Sequence, residues 1–224
     1  MSVKTYSLKR DGNKQLSKHF KVREFRCKDG SDKILIESGL VTYLEKVHEH
    51  FGCSAINISS GYRTPAHDKK VGGKGSGSHC HGKAVDFIAY DKNGKAISSK
   101  EIVLYLEDIG VKGIGYRCGG VTNYTHMDIK YRTTKWYGDE RYSMSASVGK
   151  SFYPYVGVKY STKKTTTAVN VRKEPSLSGK KYKTLAKGTT VKVANTDIIS
   201  KDGFEWVRIK IGSKHYWIAE KYLK

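Results

Sequence analysis

The sequence predicts two folded parts of different class. The first, residues 1–140, is α+β: a small antiparallel sheet with helices. The second, residues 168–224, is a small all-β barrel. A basic linker at 141–167 joins them. Three observations carry this reading. Helix-period and strand-period segments alternate through the first part. Residues 141–167 then hold five basic residues and no acid, with many Ser, Thr, Lys and Tyr. From Ala168 onward, short runs of alternating apolar residues are separated by tight-turn signals. The 224 residues suit one domain of about 150 residues and a smaller one.

Within the first part, Phe20, Val22, Phe25 and Cys27 alternate and are expected to pack on the core. Residues 31–52 read as one helix, with Ile34, Leu35, Leu40, Tyr43, Leu44 and Val47 at three- and four-residue intervals and Gly52 as its stop. Ala55–Gly61 reads as a strand. Residues 61–82 are glycine-rich and polar, with His67-Asp68-Lys69-Lys70 in the middle. Lys83–Tyr90 is a second strand, followed by a turn at Asn93-Gly94. Ser98 or Ser99 caps a second helix that Gly110 ends. Two further strands follow, Lys112–Arg117 and Asn123–Arg132, with Cys118-Gly119-Gly120 between them. In the linker, Phe152, Tyr153 and Tyr155 are candidates for docking onto folded structure.

In the second part, strand-like runs cover Ala168–Pro175, Tyr182–Gly188, Thr189–Ile198 and Phe204–Leu223. Lys201-Asp202-Gly203 and Ile211-Gly212-Ser213 are the turns. Trp206, Tyr216 and Trp217 are core residues by default.

The formal charge of +21 divides as +8 over 1–140, +5 over 141–167 and +8 over 168–224. Such a field attracts polyanions of any kind. No apolar run is long enough to span a membrane, and the first 20 residues lack the apolar core of a secretory signal. The four cysteines, Cys27, Cys53, Cys80 and Cys118, form no Cys-x-x-Cys pair, which points to free thiols. Gly72, Gly73, Gly75 and Gly77 lack the Lys-Ser/Thr ending of a phosphate-binding loop and read instead as a tight loop.

The informative stretch runs from Ser60 to Phe87. His79 and Asp86 are seven residues apart, His126 follows 40 residues later, and Asp128 sits two beyond it. In a strand, residues i and i+2 face the same side, so His126 and Asp128 can point into one cleft. Two imidazoles and a carboxylate make a good zinc shell with a fourth position left for water. Hydrolysis also needs a carboxylate outside that shell to take and return a proton. Asp128 is the best placed by spacing. His81 has the right chemistry but reads as a rim group, and Cys80 reads as a buried small hydrophobe.

These residues resemble peptidase family M15, the zinc D-Ala-D-Ala carboxypeptidases and L-alanyl-D-glutamate endopeptidases, in the form found in phage endolysins. The resemblance is carried by Ser60-Gly61-Tyr62-Arg63, by His79, Gly82, Ala84 and Asp86 in a His-x-x-Gly-x-Ala-x-Asp pattern, and by His126-Met127-Asp128. It covers residues 15–138. It implies a Hedgehog-like α+β fold, one zinc per chain held by His79, Asp86 and His126, and an Arg63 that holds a substrate carboxylate or polarises the scissile carbonyl. Some members place the catalytic acid three residues before the late histidine. That position is Asn123 here, so the catalytic role falls to Asp128.

The last part resembles bacterial SH3 domains. The match lies in Val169-Asn170-Val171-Arg172, in Leu185–Thr189, and in Trp206–Ile209 with Tyr216-Trp217-Ile218. In relatives this module commonly binds peptidoglycan.

The implied protein is a monomeric endolysin. It waits in the host bacterial cytoplasm and then cuts cell-wall peptide, with peptidoglycan and anionic wall polymer as its partners. Two alternatives are a D-Ala-D-Ala carboxypeptidase and a wall-binding protein with a vestigial site. A specific nucleic-acid binder is disfavoured, because residues 1–140 do not interleave basic and stacking aromatic residues.

Overall fold

The structure, a computed structural model, describes residues 2–118, 124–129, 134–138, 144–147 and 151–224. Asn123, Gly119, Gly120, the 130–132 end of the last expected strand and the thiol of Cys118 lie outside what is described. The chain divides into two compact units, residues 1–152 and 153–224.

The first unit opens with strand β1 (Val3–Ser7) and a single turn, α1 (Leu8–Asp11). Strand β2 (Lys33–Glu37) pairs antiparallel with β1, and helix α2 (Ser38–Phe51) follows without a break. The single helix expected over 31–52 is therefore a strand and then a helix. The reason is local. Ile34 and Ile36 are buried and the Leu35 between them is not, a two-residue period. Glu37 then caps α2, its carboxylate accepting from the Gly39 N–H at 2.8 Å. Gly52 ends the helix in the left-handed conformation, φ +57°.

Strand β3 (Ala55–Ser60), the short helix α3 (Pro65–Lys70), a 3-10 turn at Ser78–His81, strand β4 (Ala84–Tyr90) and helix α4 (Ser99–Asp108) come next. Helix α3 falls in the stretch read as loop. Thr64 caps it, its hydroxyl accepting from His67 N at 3.1 Å, and Pro65 stands in its first turn. Strands β5 (Gly113–Cys118), β6 (Tyr124–Asp128), β7 (Thr134–Gly138) and β8 (Met144–Ser147) complete a six-stranded sheet in the order β3-β4-β6-β5-β7-β8. All its pairs are antiparallel except β5 with β7, which run parallel. The sheet is thus mixed rather than purely antiparallel.

The pleat of the central strands sorts the unit into a structural and a chemical face. Val85, Met127 and Ile114 lie directly opposite one another across β4, β6 and β5, and all three are fully inaccessible. Helices α2 and α4 pack against these strands and against each other. The alternate row holds Asp86, His126 and Gly115, with Ala84, Asp128 and Gly113 beside it. A one-residue slip in register would exchange the two rows, so the apolar core also fixes where the polar groups face.

Short helix α5 (Phe152–Tyr155) spans the boundary between the units. Strand β9 (Tyr160–Lys164) belongs to the second unit, with β10 (Val169–Arg172), β11 (Lys181–Leu185), β12 (Thr190–Ala194), β13 (Ile199–Lys201), β14 (Phe204–Ile211) and β15 (Lys214–Ala219). These form one sheet in the order β11-β10-β15-β14-β12-β9, with β13 beside β14. Its pairs are all antiparallel. Val171, Ile209 and Ile218 are at the centre of its main core, which includes Tyr216, while Trp206 and Trp217 are buried in a second cluster with Ala219.

The segment read as a linker therefore carries β8, α5 and β9. Strand β9 pairs with β12 along Lys164↔Thr190 to Tyr160↔Ala194. Tyr160 Oη lies 2.8 Å from His215 Nε2, and the Tyr153 ring stacks on His215 at 3.5 Å. No helix among the described residues is long and apolar enough to cross a membrane.

These pairings make a testable distinction between two fragments. A piece spanning 153–224 should unfold in one cooperative transition. A piece spanning 168–224 leaves β12 as an open edge and should be less stable by about 2 kcal/mol or more, from the lost ladder bonds. Urea denaturation of the two decides it, and equal midpoints would show that β9 adds nothing.

Candidate functional site

The site is assembled from four segments. The turn at Ser78–His81 delivers His79, β4 delivers Asp86, β6 delivers His126, and the end of β3 leads into Arg63. The close approach of these segments has a residue-level cause at Gly61. A Cβ there would fall 2.7 Å from Phe25 Cα and from Phe25 O, so only glycine lets the chain pass. Tyr62 N then donates to Phe25 O at 2.9 Å, and Arg63 N to His79 O at 3.3 Å. Gly82, which ends the Ser78–His81 turn, has φ +64°, and a Cβ on it would fall 2.4 Å from Leu35 O. Both glycines of the sequence motifs are thus demanded by backbone geometry.

His79 Nδ1 lies 2.7 Å from the Gly61 carbonyl oxygen. A carbonyl only accepts, so Nδ1 carries a proton there, and the contact turns Nε2 toward Asp86. Nε2 lies 3.4 Å from Asp86 Oδ2. His126 Nδ1 lies 2.7 Å from Asp86 Oδ1. One ligand atom from each of His79, Asp86 and His126 falls within 4.8 Å of the others. Among the described residues this is the one cluster of His, Cys, Asp or Glu that gathers three potential metal ligands.

Asp86 is 2% exposed. Burial alone would push its carboxyl up, but the imidazoles of His79 and His126 hold it well below the usual carboxylate range. Arg63 adds a further partner, with NH2 2.8 Å from Asp86 Oδ2. The guanidinium is itself held by Ser60 Oγ at 2.8 Å from Nε and by Asp68 Oδ1 at 3.3 Å from NH1. Arg63 therefore sits in the first ring of groups around the cluster, already engaged on three sides.

Asp128 lies on the same strand face as His126, directly opposite Ala84 and Gly113. It is fully buried. Its Oδ2 accepts from the Ser78 hydroxyl at 2.5 Å, which ties β6 to the residue just before His79. Gly113 is required at that point, since a Cβ would come within 2.7 Å of Asp128 Cβ.

Two polar residues around the site did not stand out in the sequence. Asp68 is 4% exposed and joins Arg63 to the glycine loop, accepting from Gly75 N at 2.9 Å through Oδ2. Its own carbonyl accepts from Gly73 N at 2.7 Å. Ser78 is the other. The signal for Asp68 was present but ambiguous: an acid between His67 and Lys69 reads as surface charge until the turn of α3 points it inward. His81 is exposed and outside the cluster. Cys80 is buried, and burial followed by the nearby Asp68 charge pushes its thiol up, which disfavours the thiolate a metal ligand needs. Cys27, Cys53 and Cys80 are free thiols.

Comparison with known proteins adds the family. A family model described as Peptidase M15 matches residues 16–128, and one described as Bacterial SH3 domain matches residues 167–224. No curated protein and no solved structure matches the chain at a significant level. The first match covers half of the chain and contains the whole His79–Asp86–His126 cluster, and on that ground the chain belongs to the Peptidase M15 family and carries a C-terminal bacterial SH3 domain.

Proposed function

We propose that this peptidase is a zinc-dependent endolysin that cuts the peptide part of bacterial peptidoglycan, as an L-alanyl-D-glutamate or related endopeptidase, with the SH3 domain holding it to the wall. The observation that carries the reading is the convergence of His79, Asp86 and His126 on one point. The donor set of two imidazoles and one carboxylate fits zinc, which would leave room for a water as a fourth ligand. The proton of His79 Nδ1 on the Gly61 carbonyl is the outer-shell support that metal-ligating histidines use. Zinc held by these residues supplies a Lewis acid that polarises a carbonyl and lowers the pKa of a water molecule.

The chain's own residues do the rest. Arg63 offers a planar fork fixed by Ser60, Asp68 and Asp86, suited to a substrate carboxylate or to the scissile carbonyl oxygen. Asp128 takes the proton on its carboxylate and returns it to the leaving amine. Its place one pleat along from His126 and its hydrogen bond from Ser78 support that role. The bacterial SH3 domain favours a polymeric substrate, because tethering to the wall converts each further cleavage into a nearly intramolecular encounter. That consideration favours an endopeptidase over a carboxypeptidase.

The test of the function is lysis of purified walls with mass spectrometry of the released fragments. Full-length protein should contain one zinc, lose activity on chelation and regain it with zinc, and expose new L-alanine carboxyl or D-glutamate amino ends. Metal-free protein of full activity, or fragments cut only in the glycan, would refute it.

The proton role has its own test. Asp128→Asn should keep the metal and lose roughly 10²–10⁴-fold in turnover, whereas Ser78→Ala should stay within about tenfold of wild type. Equal losses in the two variants would make Asp128 a tie between β6 and His79 instead of a base. For Arg63, Asp68→Ala should raise KM on soluble wall peptide by about tenfold with zinc content unchanged, since the guanidinium loses one of its anchors. Loss of the metal in that variant would show that Asp68 acts through the cluster.

A further inference from the structure

The second unit holds 16 basic and 5 acidic residues, and three of those acids are engaged elsewhere. Asp202 accepts from Leu177 N at 2.6 Å, Glu205 from Ser200 Oγ at 2.5 Å, and Glu220 pairs with Lys163 at 3.1 Å. The lysines are distributed differently. Lys192 and Lys210 stand directly opposite each other on β12 and β14. Directly opposed like charges destabilise an antiparallel pair, so the arrangement costs stability unless an anion sits between them.

A cavity of about 330 Å³ opens at this point, rimmed by Lys183, Lys192 and Lys210. All three lysines are exposed. Lys210 Nζ lies 5.3 Å from the centre of the Tyr160 ring, and no acid lines the cavity among the described residues. Its floor is aliphatic, formed by Leu185, Val191 and Ile211, and Thr189 and Thr190 add hydroxyls at the edge. The cavity is formed by different residues from those of the aromatic groove lined by Phe204, Trp206 and Tyr222.

The geometry points to a site for the phosphodiester groups of an anionic wall polymer, with Lys183, Lys192 and Lys210 on the phosphates and the aliphatic floor under the polyol between them. Three ammonium groups around one concavity match closely spaced phosphates as point charges. No aromatic ring lines the cavity itself, and the Tyr160 and Tyr182 rings beside it lie beneath the ammonium groups of Lys210 and Lys183, so the aliphatic floor suits a polyol better than stacked bases. This favours a polyol phosphate over a nucleic acid. The site does not depend on the peptidase reading, because it belongs to a separate compact unit.

The experiment uses the full chain and a fluorescent poly(glycerol phosphate) oligomer at about 0.15 M salt, where long-range attraction is largely screened. The variant K183Q/K192Q/K210Q should bind about tenfold more weakly or worse. A control with the same charge change on the first unit, K4Q/K9Q/K33Q, should stay within about twofold. The Lys→Arg version of the cavity variant should retain binding, and thermal unfolding should show the cavity Gln variant no less stable than wild type, since it relieves the Lys192–Lys210 repulsion. Equal weakening in the cavity and control variants would reduce the effect to diffuse charge and overturn the site. So would poly-glutamate binding as tightly as the phosphate polymer, a preference for single-stranded DNA, or no binding by wild type.

Discussion

A carboxylate with almost no solvent contact has to be compensated by its neighbours, and Asp86 is that carboxylate. Three groups converge on it from three segments: His79, His126 and Arg63. Two of these neighbours are in turn held by something else. Gly61 orients His79, and Ser60 and Asp68 orient Arg63. Removing any one holder leaves the buried charge less well met, so the constraint spreads outward from Asp86 into loops that have no chemistry of their own. The glycine loop is the clearest case, since its Gly75 N–H is bound to the same Asp68 carboxylate that grips Arg63.

Part of the candidate site was legible because Asp86, His126 and Asp128 obey a two-residue period on strands whose other face is apolar. Val85-Asp86-Phe87 reads as one polar residue between two apolar ones and His126-Met127-Asp128 as one apolar residue between two polar ones, and the structure pairs Val85 with Met127 and Asp86 with His126. The depth of Asp128 was not legible. Spacing places it on the face of His126, but only the three-strand register shows it buried between Ala84 and Gly113. Asp68 was missed for a related reason: its burial comes from α3, six residues long, too short to leave a periodic trace.

Where local elements differ from the sequence expectation, the cause is backbone pairing that side chains do not advertise. Strand β9 carries Ser, Thr and Lys, with little apolar content, and joins the sheet through its ladder with β12. A composition-based reading sees a tether there. The stretch around Ile34-Leu35-Ile36 fails in the other direction. A short apolar run before a helix fits either period, and its true partner, β1, lies near the start of the chain. The one parallel pair among the described residues, β5 with β7, also has no signature in either strand.

The hydrogen bond from His79 Nδ1 to the Gly61 carbonyl has a consequence for how the ring answers to change elsewhere. Its acceptor is a backbone oxygen, which does not titrate and which no side-chain substitution deletes. The aim of the imidazole is therefore inherited from the path of the main chain at Gly61, a path that a Cβ would block against Phe25. A substitution at Phe25 or Gly61 would turn the ring by moving that carbonyl, with every side chain of the cluster still in place.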